Sequence, residues 1–178
     1  EPGMKTPTGL PTQKKSAPSE KSAPPFTVRS RRLSPTEQRN PRSANLDRLG
    51  LGAAIELMLT EEARVTRALL AKRTKLGRAV TLVARAFRRG GRLFYVGAGT
   101  SGRLGIVEAA EMPPTFGIAP SRVVALMAGG KTAVFSAREG VEDDYEEGSR
   151  ALARLRPTVR DVVVGVSASG ITPFVRGG

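Results

Sequence analysis

Three short apolar runs constrain this chain more than any other feature. They are "RLFYVG" (92–97), "SRVVALMAG" (121–129) and "DVVVGV" (161–166), and a helical stretch separates each from the next. Near-continuous apolar runs of this length fit strands of a parallel sheet buried on both faces. The intervening "SGRLGIVEAAEM" and "EDDYEEGSRALARL" supply the crossover helices. The expected fold is therefore α/β, a βαβαβ unit with three parallel strands in this chain. Right-handed crossovers place all the strand C-termini on one edge, where ligands of open α/β sheets bind.

Residues 34–91 read as a helical segment ahead of that sheet. Apolar residues recur at Ile55, Leu59, Val65, Leu69, Leu70, Val80, Val83, Ala84 and Phe87, at spacings near three and four. Gly90 and Gly91 end the last helix. The basic residues between the apolar positions form a solvated face. Residues 1–33 carry "KTPTGLPTQKKSAPSEKSAPPFT", rich in Pro, Ser and Lys and without periodicity. Such a segment buries too little surface to offset its ordering entropy and is expected to be a disordered basic tail.

A net charge of +13 invites a nucleic-acid reading. Residues 1–45 hold nine Lys/Arg against three Asp/Glu, so about half the excess sits in or next to the tail. Phe26 is the tail's sole aromatic, so a stacking platform for single strands is missing and nucleic acid is disfavoured as a partner. The chain has no Cys and no His, which removes disulfides, thiolate ligands, the usual general base and the commonest zinc ligand. Acid–base chemistry then falls to Asp, Glu, Lys or Tyr, and no metal is expected. No apolar run approaches a membrane span and no signal peptide is visible, so a cytoplasmic protein is expected.

Three loops follow the three strands: "GAGTSG" (97–102), "AGGKTAVFSAREGVE" (128–142) and "SASGITP" (167–173). The first is a literal G-x-G-x-x-G, yet the second strand ends "ALMAGG" with no acid for a ribose, which argues against a dinucleotide. "AGGKT" has the tail of a P-loop, but its first required glycine falls on Ala125. What remains is a cradle for a phosphate monoester. Gly99, Thr100, Ser101 and Gly102 supply hydroxyls, close backbone approach and a helix N-terminus. Ser167, Ser169, Gly170 and Thr172 repeat the arrangement after the third strand. Either loop alone also reads as a plain tight turn.

"GRLFYVGAGTSGRLGIVEAAEMPPTFG", "AGG", "REGVEDD" and "DVVVGVSASGITPFV", in that order, resemble the N-acetylmuramic acid 6-phosphate etherases of the sugar isomerase (SIS) domain family. "TEQRNPRSANLD" (36–47) resembles that family's N-terminal signature, so the resemblance runs from about Ser34 to the end. The related glucokinase regulatory protein shares the loop and the "REGxED" type of stretch. The resemblance implies a SIS-type domain, a doubly wound, flavodoxin-like three-layer parallel sheet, begun at residues 92–178, and a cytoplasmic enzyme without metal or organic cofactor. It implies cleavage of the lactyl ether of an amino-sugar phosphate, and homodimers with shared sites. Its two functional glutamates fall on Glu111 and Glu142.

We assign Glu142 as the base that removes the C2 proton. Glu111 is the acid that protonates the departing lactate and then activates water. On a straight helix Glu111 lies about 15 Å from Ser101, so it would serve a site completed by a second subunit. Read from the residues alone, Glu111 is more simply a solvated helix end, and Glu142, Asp143 and Asp144 are more simply acids that complement a helix dipole. Two departures stand out. The family commonly has "SGRTP" where this chain has Ile171 in "SGITP". Family members also continue for roughly as long again beyond "PFVRGG", so the sheet is expected to be cut after its third strand. The alternative to a lyase is a non-catalytic phosphosugar-binding module of the glucokinase-regulator type, or an inactive fragment.

Overall fold

Helices come first in the computed structural model, which describes Thr36 and residues 38–178. The basic tail expected over residues 1–33 lies outside the described residues. Two 3-10 turns, Pro41–Ser43 and Leu46–Arg48, lead into α1 (Leu51–Ala71), and α2 (Arg73–Arg88) follows directly. The first turn is clamped to α1 by one carboxylate. Glu61 accepts hydrogen bonds from Arg42 at 2.6 and 2.7 Å and from Asn40 Nδ2 at 2.9 Å. Those donors, Arg42 foremost, pull the Glu61 carboxyl down to about 2.

The apolar positions of α1 and α2 do not build a core within the described residues. No residue of α1 is buried and only Ala86 of α2 is. Leu59, Leu69 and Val80 are 66%, 52% and 68% exposed. The three- and four-residue spacing did mark helices, but most of their apolar side stays exposed among the described residues, with Val83, Ala84 and Phe87 half-buried at the end of α2 that meets the sheet.

The sheet holds β1 (Leu93–Gly97), β2 (Val123–Met127) and β3 (Val162–Val166), all parallel, in the order β2-β1-β3. Leu93 is level with Val123 on one side and Val162 on the other. The crossovers are α3 (Gly99–Phe116), then the short α4 (Gly130–Phe135) with α5 (Tyr145–Arg154). The chain closes on α6 (Pro173–Gly177).

Side-chain alternation assigns the helices to opposite faces. A Cβ placed on Gly105 of α3 would lie 2.9 Å from Tyr95 Cβ. One placed on Gly178, next to α6, would lie 3.0 Å from Val96 Cγ1. Tyr95 and Val96 are consecutive, so α3 covers one face and the α6 end covers the other. Phe94 and Val96 are fully buried in the central strand, and Phe174 of α6 closes over Val96 and Ala128. A Cβ on Gly148 would overlap the Phe174 carbonyl, so α5 and α6 meet backbone to backbone.

Two details differ from the sequence reading. β3 alternates half-buried and exposed residues, with Val163 40% exposed, because it is an edge strand here. Helix α3 runs on through Pro113 and Pro114 to Phe116. Both prolines sit in its last turn, and Gly117 (φ +65°) ends the helix by donating its N–H to the Pro113 carbonyl at 2.8 Å. Among the described residues no helix is long and apolar enough to cross a membrane.

At the N-terminal edge of the sheet Asp161 staples β1 to β3. Its carboxylate accepts the Arg92 backbone N–H at 2.7 Å, Arg92 Nη2 at 2.9 Å and the Thr158 N–H at 2.8 Å. Arg92 also donates to the carbonyls of Leu155 and Arg156, and its guanidinium lies 4.7 Å from the centre of the Phe94 ring. The Arg92 hydrogen bond is the largest of the effects that hold the Asp161 carboxyl well below the usual carboxylate range.

Candidate functional site

The glycines of "GAGTSG" divide into two roles. A Cβ on Gly97 would sit 2.6 Å from the Gly102 nitrogen, and one on Gly102 would sit 2.8 Å from Met127 Cγ and 2.9 Å from the Gly97 oxygen. These two residues let α3 start hard against β1 and β2. Gly99 instead takes φ +54°, a left-handed turn that brings the chain into the helix. The tightness leaves the first N–H groups of α3 without intrahelical partners at the strand's C-terminal end, where the helix dipole is positive. Gly102→Ala is expected to push strand and helix apart and lower stability by about 1–3 kcal/mol, measured as a shift in urea midpoint.

The loops after all three strands meet around a cavity of about 380 Å³. Gly99 and Ser101 line it from the first loop, Glu142 from the second, and Ser167, Ser169 and Thr172 from the third. The third loop is organised by its own hydroxyls. Ser167 Oγ accepts the Gly170 N–H at 3.0 Å and lies 2.8 Å from Thr172 Oγ1 and 3.3 Å from Ser169 Oγ. Ser169 Oγ accepts the Ile171 N–H at 3.2 Å. Gly170 has φ +70°, which lets the loop turn back on itself. Gly170, Thr100 and Gly102 do not line the cavity: Gly170 and Thr100 are exposed, and Gly102 is buried against the strands. Ile171, 59% exposed, also lies outside it.

The two glutamates are placed very differently. Glu142 is half-buried on the cavity wall, in a 3-10 turn (Val141–Asp143) ahead of α5. The helix-dipole role belongs to its neighbours. Asp144 caps α5 by accepting the Glu147 N–H at 2.8 Å, and Glu146 and Glu147 fill the first turn. Glu111 is exposed on α3 and does not line the cavity. It lies twelve residues past Gly99, about 18 Å along the helix. Glu108, one turn earlier, is also exposed, and its charge adds to burial in raising the Tyr95 phenol.

Sequence reasoning missed four polar residues on the cavity wall: Thr36, Arg103, Arg138 and Glu139. Thr36 opens the "TEQRNPRSANLD" stretch, and that stretch is the signal that could have placed it here. Arg103 donates from Nε and Nη2 to the carbonyls of Val134 and Ala133, both at 2.8 Å, and so ties α3 to the end of α4. Arg138 donates from Nη1 to Thr132 Oγ1 at 3.2 Å. The wall thus combines two guanidinium groups, two carboxylates, several hydroxyls and a helix N-terminus. This set can take up an anionic polyol and exchange protons with it. Among the described residues no group of three or more His, Cys, Asp or Glu could hold a metal ion.

Comparison with known proteins agrees with this architecture. The family profile for the glucokinase regulatory protein N-terminal SIS domain matches residues 75–178. Over 142 residues, 80% of this chain, it is 50% identical to an N-acetylmuramic acid 6-phosphate etherase of Rubrobacter xylanophilus and covers 47% of that protein. A protein of the same description from Gloeobacter violaceus is 51% identical over 142 residues, with 46% of its length covered. One from Francisella tularensis is 45% identical over 142 residues, with 48% covered. The chain spans about half the length of the curated relatives it matches. It therefore belongs to the SIS-domain family of the glucokinase regulatory protein type, with N-acetylmuramic acid 6-phosphate etherases as its relatives.

Proposed function

We propose that the cavity binds an amino-sugar 6-phosphate and that the chain carries the first half of an etherase acting on N-acetylmuramic acid 6-phosphate. The observation that carries this reading is the half-buried Glu142 on the wall of a cavity ringed by Gly99, Ser101, Ser167, Ser169 and Thr172. The N–H groups of the α3 N-terminus and the hydroxyls of the third loop receive the phosphate.

With the sugar ring open, the C1 aldehyde acidifies the C2 proton. Glu142 takes that proton, the C3–O bond breaks, and the ether oxygen collects a proton as D-lactate leaves. Water then adds at C3 of the unsaturated sugar and a proton returns to C2, giving N-acetylglucosamine 6-phosphate. Glu111 is the second carboxyl group. Because it stands outside the cavity of its own chain, it serves the cavity of a second copy. No organic cofactor or metal enters this scheme, and the cytoplasm is the compartment it suits.

The test is turnover in heavy water. D-Lactate and N-acetylglucosamine 6-phosphate are expected in equal amounts, with one solvent deuterium at C2. Release without deuterium at C2 would contradict elimination. Mixing Glu111→Gln chains with Glu142→Gln chains should restore activity that neither shows alone, and failure to do so would contradict the shared site.

A second reading, a phosphosugar-binding module that turns nothing over, is favoured by two observations. The matched profile is that of a regulatory protein, and Glu111 lies outside the cavity. Saturable sugar-phosphate binding without lactate release would select it.

A further inference from the structure

We propose that Arg138 is a specificity-determining residue that grips the lactyl carboxylate of the substrate. The proposal rests on the phosphosugar reading of the cavity. That substrate carries two anions, the phosphate on C6 and the carboxylate of the lactyl group on C3. The uncharged donors, the α3 N-terminus and the Ser167–Thr172 hydroxyls, suit the phosphate. The second anion hangs from the carbon next to C2, so it must lie close to the base that takes the C2 proton. Left unpaired, it would repel the Glu142 carboxylate.

Arg138 stands on the loop that delivers Glu142, and both line the cavity. Gly129 ties the two together: a Cβ there would lie 3.4 Å from Arg138 Cδ and 3.4 Å from Val141 Cγ2, beside Glu142. The stem is thus laid over the Gly129 backbone, and Nη1 is anchored on Thr132 Oγ1 at 3.2 Å. Among the described residues no carboxylate is ion-paired with Arg138. The other cation of the wall, Arg103, has Nε and Nη2 engaged by two carbonyls. Ile171, on the third loop, brings no charge and lies outside the cavity. Arg138 is the guanidinium left to face a planar carboxylate, which it can meet through two parallel hydrogen bonds.

Calorimetric titration with two sugars tests this. One is N-acetylmuramic acid 6-phosphate, and the other is N-acetylglucosamine 6-phosphate, which lacks the lactyl group. The Glu142→Gln chain serves as host, so that nothing turns over. The host should favour the lactyl sugar, and Arg138→Gln should weaken that ligand by about 10- to 100-fold. Binding of N-acetylglucosamine 6-phosphate should be unchanged, which also reports that the variant folds, and Arg138→Lys should keep part of the preference. Equal loss of both sugars would assign Arg138 to the phosphate and overturn the proposal, as would an undiminished preference. A host that binds neither sugar overturns the phosphosugar reading itself, and this proposal with it.

Discussion

Glu142→Gln lowers D-lactate release by about 10²- to 10⁴-fold, the range expected when a positioned general base is removed. The amide keeps the size and the half-buried position of the carboxylate but cannot accept the C2 proton. The loss should therefore appear in kcat, with KM nearly unchanged. Steady-state kinetics on the two chains separates these terms. A fall of less than about tenfold, or a loss confined to KM, would take the proton-transfer role away from Glu142. Asp144→Asn is the useful contrast, because Asp144 is two residues away but caps α5 and does not line the cavity. It should leave kcat intact.

The second large effect is on stability. Asp161→Ala is expected to cost about 3 kcal/mol, because it removes the anionic partner of Arg92 and the acceptor for two backbone N–H groups at the base of the sheet. Domains of this size are held by only about 5–15 kcal/mol, so the urea midpoint should drop markedly. The sign of the pH dependence follows from the direction of the shift. The Asp161 carboxyl titrates lower in the folded chain than in the unfolded one. Its contribution is present above the unfolded value, roughly 4, and is lost as pH falls below it. The gap between the wild-type chain and Asp161→Ala should thus be full at pH 7 and shrink near pH 3. A gap that is equal at both pH values would mean the carboxylate's charge plays no part.

Much of this architecture was legible in the residues, for identifiable reasons. The three apolar runs gave strands because a central parallel strand must be apolar on both faces, as Phe94, Val96 and their neighbours are. The loops were placed correctly on one edge because chain handedness leaves little choice. Three things were not legible. The spacing of Ile55, Leu59 and Leu69 marks an apolar helix side but not what faces it, and in this chain nothing described does. Local propensity put the end of α3 before Pro113, yet proline in a last helical turn costs little when a left-handed glycine follows. Arg103 and Arg138 were not singled out, because a cation's sequence neighbours do not reveal that it will line a cavity. The separation of Glu111 from the first loop, by contrast, was legible, because the rise of a straight helix already carries it away from Ser101.

Titration of the isotope-labelled chain with N-acetylglucosamine 6-phosphate, followed through its backbone amides, tests the cavity assignment most directly. Saturable shifts are expected at Gly99, Thr100 and Ser101 and across Ser167–Thr172, with the Glu142 turn following. Shifts confined to residues 1–33 that fade steeply with added salt would contradict the assignment and point to a polyanion-binding tail instead. So would the absence of saturable binding.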